Sequence, residues 1–538
     1  MKKITTYIGL VLTAYFMSSC HDVVVPITTE LTPDIFPQNT SQFIQASGPP
    51  YAALRGAYSL DYWFMQSEST DESIMPARGG NWFDNQNYRH LHYHSWTKDH
   101  GNTNGAWSWL SNVIGTTNQA LSILDKTIPA STPTKANNLA ELKMVRAIAY
   151  FMMMDLYGNV PIYTEYGDFT PKPNTPRAQV FAFLETEIKA ALPDLSTDVS
   201  TATYGRATKY TAYALLAKMY LNAEVYTGTA RLKDCIDACD NVIASGKFAL
   251  ETRANYLQMF YPNNGPQMKE FIFAIPYDPA AGAMPGTNGF MYHARYDVPR
   301  SETKKYNLPF TPSAPRSTLP EFYAYFNDAN DIRNKQWLTG LQFMADGVTP
   351  VTVTTTKKGY DQFYTGADGS ATYTYQVNLA PKIELRQDVA TFDSGNDEIA
   401  WNMGYRNVKF LPDATSTTRN QNNDVPFLRY SDIILMKAEA IVRGGAATNG
   451  ETALVLYNQL RANRTTSPAV STVTLSDIYA ERNREFAWES WHRNDMIRFG
   501  KYEENWGFKT NADVTRRIFP IPTAAMVLNP ALTQNPGY

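Results

Sequence analysis

The sequence predicts a mainly α protein, a scaffold of helical hairpins carrying a loop-rich insertion with short strands. Three observations predict it. Apolar residues recur at steps of three and four over 42–66, 104–126, 138–157, 177–192, 206–225 and 231–245, the spacing of helices that bury one face. From about 262 to 425 the texture changes to dense Pro, Gly, Asn, Thr and Tyr with short alternating runs, the signature of short strands and long loops. Helical spacing then returns at 428–443, 450–463 and 475–499. One discontinuous domain over 41–538 therefore holds a scaffold, about 42–260 and 427–500, with the insertion, about 262–425, between its parts.

The amino terminus reads as targeting rather than fold. Lys2 and Lys3 precede an apolar run from Ile4 to Met17, followed by Ser18, Ser19 and Cys20. Fourteen residues fall short of the roughly 20 that a membrane-spanning helix needs, and small residues before a cysteine complete a lipoprotein signal. Residues 1–19 are read as the signal and Cys20 as the lipidated first residue; Met17 stands where Leu is usual in such signals. Pro26, Pro33 and Pro37 among Thr and Asn make 20–40 a flexible tether.

Within the scaffold, K-Y-T-A-Y-A-L-L-A-K-M-Y-L-N-A sets Ala214, Ala217 and Ala223 among Tyr213, Leu216 and Tyr220. Small residues between large ones let helices approach closely, as hairpin repeats of about 34 residues require, so the hairpins are read as divergent tetratricopeptide-like units. Cys235 and Cys239 lie four apart in a helical stretch. That spacing aims their Cβ atoms in parallel and suits two small buried residues better than a disulfide. In the insertion, V-T-P-V-T-V-T-T-T and A-T-Y-T-Y-Q-V flank Gly366 to Gly369 as a strand pair. Phe290, Tyr292, Tyr306 and Phe310 argue that its long loops are ordered.

The 538 residues are 43% hydrophobic, enough for a large core behind the anchor. Formal charge is −3, two units more negative once Lys2 and Lys3 leave with the signal. No Lys/Arg block could neutralise a phosphate backbone, so nucleic acid is not a partner. Five of the ten tryptophans, Trp63, Trp82, Trp96, Trp107 and Trp109, fall between 63 and 109, which favours a ligand-facing region there. Trp107 and Trp109 sit in a helical pattern and are assigned to the core.

The stretch from Arg78 to Trp96, R-G-G-N-W-F-D-N-Q-N-Y-R-H-L-H-Y-H-S-W, has almost no aliphatic residue. Flat rings can stack on the C–H faces of a sugar, and Arg78, Asn81, Asp84 and Asn85 carry donors and acceptors for hydroxyls. His90, His92 and His94 would share a face if the segment were a strand. A zinc site is weighed against strand packing, and packing is preferred because no H-E-x-x-H or C-x-x-C accompanies them. Glu68, Asp71 and Glu72 offer a carboxylate pair to a glycosidase, but neighbours in sequence are more often solvated or capping. No G-x-S-x-G, G-x-x-x-x-G-K-[ST] or G-x-G-x-x-G occurs. Glu481 to Lys501 crowds Glu485, Glu489, His492 and Asp495; Arg482, Glu485, Glu489 and Arg493 sit three or four apart and can pair, so a helix carrying a polar network against neighbouring helices explains them.

Several stretches together resemble the SusD/RagB family of Bacteroidetes outer-membrane lipoproteins. They are Cys20 with its lipobox, R-G-G-N-W-F-D, V-R-A-I-A-Y-F-M-M-M-D-L-Y-G-N-V-P from Val145 to Pro161, and Y-L-N-A-E-V-Y-T-G from Tyr220 to Gly228. F-L-R-Y-S-D-I-I-L-M-K-A-E-A from Phe427 to Ala440, R-N-R-E-F-A-W-E from Arg482 to Glu489 and the ending F-P-I-P...N-P-A-L-T-Q-N-P-G-Y complete them. The match runs along nearly the whole chain, and its order and spacing carry the specificity. The resemblance implies about four tetratricopeptide-like units and a glycan-binding protein, not an enzyme, on the outer membrane and facing outward. It also implies a SusC-like TonB-dependent transporter as partner, and neither cofactor nor metal. Within it, Trp82 is expected to stack, Arg78, Asn81, Asp84 and Asn85 to hold hydroxyls, and Tyr292 and Phe310 to close an aromatic arc. Two other classes share parts of this pattern: a secreted helical glycosidase, and a repeat lipoprotein that binds protein in an assembly machine.

Overall fold

The computed structural model describes residues 36–277, 296–355, 373–386, 391–395, 397–416 and 421–538. Cys20, most of the tether, Phe290 and Tyr292 lie outside them. Long helices alternate with a loop-rich body whose strands are short, as the sequence predicts. Helix α1 (Thr40–Leu54) packs on α4 (Gly101–Thr127), α4 on α5 (Lys135–Tyr157), and α5 on α6 (Arg177–Ala191). Helix α7 (Lys209–Leu221) pairs with α8 (Leu232–Ile243). After the insertion, α10 (Tyr430–Val442) pairs with α11 (Ala453–Ala462) and also packs on α8.

Helix α5 is the centre of this core. From Met144 to Tyr157 nearly every residue is buried, and the run Met152 to Met154 supplies unbranched side chains that fit irregular gaps. Gly158, at φ +70°, ends it where a side chain would be strained. A capping box of Thr208 and Thr211 starts α7. Ala212, Ala214 and Ala217 are fully buried, as are Cys235 and Cys239 on α8; both cysteines are free, filling space as the sequence predicts.

Some elements differ from expectation. The segment 42–66 is not one helix: α1 stops at Leu54, a π-helical turn spans Tyr58–Tyr62, and α2 (Trp63–Ser67) follows. The expected helix 475–499 is two, α12 (Leu475–Phe486) and α13 (His492–Arg498), because Trp488 and Ser490 take positive φ of 66° and 64°. That break changes the ion pairs. Glu485 does not pair along its helix but with Arg333, Arg429 and Arg464. Glu489 pairs with Arg429 and Lys409, Arg482 with Asp432 and Asp495, and Arg493 with Asp155. All of these groups are buried, so each carboxylate needs several donors, which neighbouring elements supply and one helix face cannot.

The network also fixes the insertion to the scaffold. Strand β1 (Phe271–Ile275) leads into the insertion and β8 (Val425–Arg429) leads out, and the two pair antiparallel, Phe271 with Arg429 and Ile275 with Val425. Arg429 and Arg464 both bind Glu270 at the foot of β1. Arg333 and Lys409 reach from the insertion into the same carboxylates. Between them lie small antiparallel pairs: β2 (Trp337–Leu338) with β7 (Arg406–Asn407), β3 (Gly340–Leu341) with β6 (Asn378–Leu379), and β4 (Thr352–Thr355) with β5 (Tyr373–Gln376). The last joins the two alternating runs singled out in the sequence; the turn between them lies outside the described residues.

Candidate functional site

The aromatic stretch begins at a rivet. Arg78 is fully buried; its guanidinium donates to Ser394 Oγ at 3.2 Å and to the carbonyls of Pro315 at 3.2 Å, Met403 at 3.3 Å and Ala400. Burial lowers its pKa to about 9. The expectation that Arg78 holds a ligand hydroxyl is corrected: its donors face protein carbonyls. It ties the root of the loop to the insertion beside α9 (Glu398–Trp401).

Beyond Arg78 the chain turns tightly. Gly79 and Gly80 donate their N–H groups to the Asp393 carboxylate at 2.9 and 2.8 Å. Arg78 N donates to Asn81 O at 2.9 Å, and Asn81 Nδ2 returns a bond to Arg78 O at 3.1 Å. Trp82, Asp84, Asn85 and Gln86 then hold φ of 66°, 40°, 52° and 65°. Left-handed backbone costs a non-glycine residue of order 1 kcal/mol or more and persists where surroundings enforce it, often at ligand sites.

The result is a projecting loop. Asn81, Asp84 and Asn85 are exposed, Trp82 is half-buried and Phe83 is 41% exposed. Trp82 sets its ring edge-to-face on Tyr296, with centroids 5.0 Å apart, so the indole is braced from the insertion. Phe83 was not singled out in the sequence, where its neighbour Trp82 drew the assignment. Phe310 is half-buried against Val298, Leu308, Leu338, Leu379 and Val408, an apolar cluster separate from the one that receives Trp82. Tyr292 lies outside the described residues, so the aromatic arc is not assembled here from its three members.

The histidines sit on and just after helix α3 (Asn87–His92), not on a strand. That helix turns them to different partners. His90 Nδ1 meets Ser95 Oγ at 2.9 Å, His92 Nε2 accepts from Phe508 N at 3.1 Å, and His94 Nε2 meets Ser69 O at 2.9 Å. Burial lowers the His92 pKa to about 3 and drives that of His94 down as well. Both pack among aromatic rings, His92 on Phe392 and His94 on Trp96 and Tyr502. Among the described residues no group of three or more His, Cys, Asp or Glu is placed to hold a metal ion.

Glu68, Asp71 and Glu72 are interior residues rather than solvated ones. Burial pushes Glu68 up to about 8 while it accepts from Ser73 at 2.8 Å. Glu72 accepts from Trp488 N at 2.7 Å. Asp71 meets His492 Nε2 at 2.5 Å. Burial opposes the charge of His492, yet Asp71, Glu72 and Asp495 together hold its pKa above the ordinary value. None of the three carboxylates opens onto the aromatic loop. Cavities of about 180 Å³ beside Tyr204 and β1, and of about 530 Å³ against the α4–α5 connection, also lie away from it. The loop is an open surface, suited to an extended ligand.

The model of the SusD family matches residues 214–538, and a second family model, described as starch-binding associating with outer membrane, matches 53–221. The starch-binding protein SusD of Bacteroides thetaiotaomicron is 25% identical over 487 residues, covering 85% of this chain and 82% of that protein. A SusD-like protein of Bacteroides ovatus is 25% identical, covering 82% of this chain and 73% of its own length. Among solved structures, a laminarin-binding SusD-like protein superposes with a TM-score of 0.70 at 20% identity, covering 93% of this chain and all of that one. Surface glycan-binding protein A of Bacteroides thetaiotaomicron, solved with laminarihexaose, gives a TM-score of 0.66 at 19% identity, with 92% and 99% covered.

Proposed function

The chain belongs to the SusD family, and from that premise we propose that it is a cell-surface lipoprotein that captures glycans without cleaving them and passes them to a TonB-dependent outer-membrane transporter of the SusC type. The observation that carries the glycan reading is the loop Asn81–Asn85: an indole braced on Tyr296, with exposed amides and a carboxylate beside it, on a backbone held in a costly conformation. Stacking plus directed hydrogen bonds is what a sugar presents itself to. The relatives named for starch and laminarin support the same chemistry.

Lipidation at Cys20 and an outward-facing position on the outer membrane are part of this reading, supported by the signal pattern at the amino terminus and by the second family model's description. Among the described residues no helix is long and apolar enough to cross a membrane. A docking partner is supported by exposed apolar side chains on two segments joined by a hydrogen bond. Tyr166 and Phe169 are 55% and 88% exposed, and Val527 and Leu528, on α14 (Thr523–Leu528), are 75% and 85% exposed. Asn529 Nδ2 donates to Lys172 O at 2.8 Å and holds the two segments together. Contiguous exposed apolar groups mark interaction surfaces.

Affinity electrophoresis across a glycan panel tests the capture step: retention by at least one polysaccharide or its oligosaccharides, weakened in Trp82→Ala, is expected, and release of smaller products would replace the reading with a hydrolase. Phe169→Ser with Leu528→Ser should reduce co-purification with a large outer-membrane protein while glycan retention stays intact.

A further inference from the structure

Arg316 and Arg300 make the same contact with different completion. The guanidinium of Arg316 lies 3.7 Å over the ring of buried Trp63, and Asp297 satisfies it with two bonds, Nε to Oδ1 at 2.6 Å and Nη2 to Oδ2 at 2.7 Å. Arg300 lies 4.2 Å over the ring of Trp401, which is half-buried. Its side chain is exposed, and among the described residues its guanidinium has neither a hydrogen bond nor an ion pair. Burial lowers its pKa, and Glu398, on α9 with Trp401, counteracts this without pairing with it. A stacked guanidinium keeps its plane and its fork of N–H donors fixed, and that fork matches a carboxylate bidentately. In Arg316 the protein supplies the carboxylate. In Arg300 no described residue supplies one.

This open fork belongs to the same end of the molecule as the aromatic loop. Tyr296, which braces Trp82, precedes Arg300 by four residues, a chain separation of at most about 14 Å. Arg78, at the root of the loop, binds the carbonyls of Ala400 and Met403 on either side of Trp401. An oligosaccharide on Trp82 therefore has Arg300 within a few sugar units. Resting on the glycan-binding reading above, we propose that Arg300, backed by Trp401, receives the carboxylate of an acidic sugar, so that the glycan captured is one bearing uronic acid residues.

The experiment is calorimetric titration of the full chain with two sets of oligosaccharides. One set is uronate-bearing, from polygalacturonate, alginate and glucuronoxylan; the other is neutral, from laminarin and galactan. At least one acidic set should bind, more weakly as salt is raised. Arg300→Gln should weaken that binding 10- to 100-fold, Arg300→Lys should restore part of it, and melting temperatures should stay unchanged because the side chain is exposed. Trp82→Ala should weaken binding independently of charge. Neutral oligosaccharides binding as tightly as acidic ones, or acidic binding untouched in Arg300→Gln, overturns the assignment and leaves the general glycan reading standing. No binding by either set overturns both.

Discussion

Replacing Trp82 separates binding from folding, because the indole is both a braced surface group and a backbone outlier. A sugar face laid on an indole removes on the order of 80 Å² of apolar area, which at about 25 cal/mol/Å² is about 2 kcal/mol. Trp82→Ala should then raise the dissociation constant roughly 30-fold. The folded protein loses the edge contact to Tyr296 at 5.0 Å, about 1 kcal/mol, and in a chain this long each kcal/mol shifts the melting temperature by about 1 °C. Trp82→Gly supplies the control. At φ +66° glycine relieves backbone strain that alanine keeps, so the glycine variant should melt no lower than the alanine variant while binding equally poorly. Calorimetric titration and thermal melts of the three proteins, with the oligosaccharide that the panel retains, read both quantities. Undiminished binding in Trp82→Ala refutes the stacking role. A melting loss of five degrees or more would show instead that Trp82 is a core residue whose removal disturbs the site indirectly.

Three further outcomes follow from the same geometry. Asp393→Ala removes the acceptor of Gly79 and Gly80 N–H, so unsatisfied donors should cost about 1–3 kcal/mol in denaturant unfolding, with a roughly tenfold loss of glycan affinity as the loop relaxes; Asp393→Asn should fall between. Glu485→Ala leaves Arg333, Arg429 and Arg464 without their shared carboxylate and should destabilise by about 3–5 kcal/mol, seen as a lowered unfolding midpoint or loss of soluble protein. The folded-state pKa of Glu68, raised by burial from 4.5 to about 8, lies above its unfolded value, so its contribution is present below pH 4.5 and lost as pH rises through 8, with a slope of at most about 1.4 kcal/mol per pH unit. Glu68→Gln should flatten the decline between pH 5 and 8 in unfolding experiments; an unchanged slope would count against the buried carboxyl.

Helices that bury one stripe were legible because their apolar spacing is local. The 42–66 segment misled for the opposite reason: Tyr58, Tyr62 and Trp63 continue an apolar pattern across a π-helical turn, where the backbone changes its period without the composition changing. The polar stretch 481–501 was legible as structural, but its partners were not, because Arg333, Lys409 and Arg429 lie 56 to 152 residues away from Glu485 in sequence and meet it only after β1 pairs with β8. At the site, aromatic content pointed to Arg78–Trp96, yet the same letters serve two purposes there. Arg78, His92 and His94 turn inward, Asn81 and Phe83 to Asn85 turn outward, and Trp82 is half-buried between them. Periodicity cannot separate them, since left-handed backbone at Trp82, Asp84, Asn85 and Gln86 has no spacing signature. The Arg300–Trp401 stack had no signal at all, as it joins residues 101 apart in a region read only as loops.

Three of the stretches that carry the family resemblance are also ones the structure buries. Val145 to Leu156, Phe427 to Ala440 and Arg482 to Glu489 contain almost no exposed side chain, and they form α5, the junction of β8 with α10, and the ion-paired turn between α12 and α13. Substitution there is limited by packing and by buried charge, whatever the ligand. Asn81 to Asp84, although part of R-G-G-N-W-F-D, lie outside these three buried stretches, as do Asn85, Arg300 and Trp401, and they answer to different constraints. The backbone at Gly79, Gly80 and Ala400 is clamped by Asp393 and Arg78, while Asn81, Phe83, Asp84, Asn85 and Arg300 are exposed and can change without a cost to the core. On the proposed function, a scaffold of this design would hold the loop Asn81–Asn85 rigid and leave its chemistry free, so that the exposed residues there and at Arg300, rather than the buried stretches, would select the glycan.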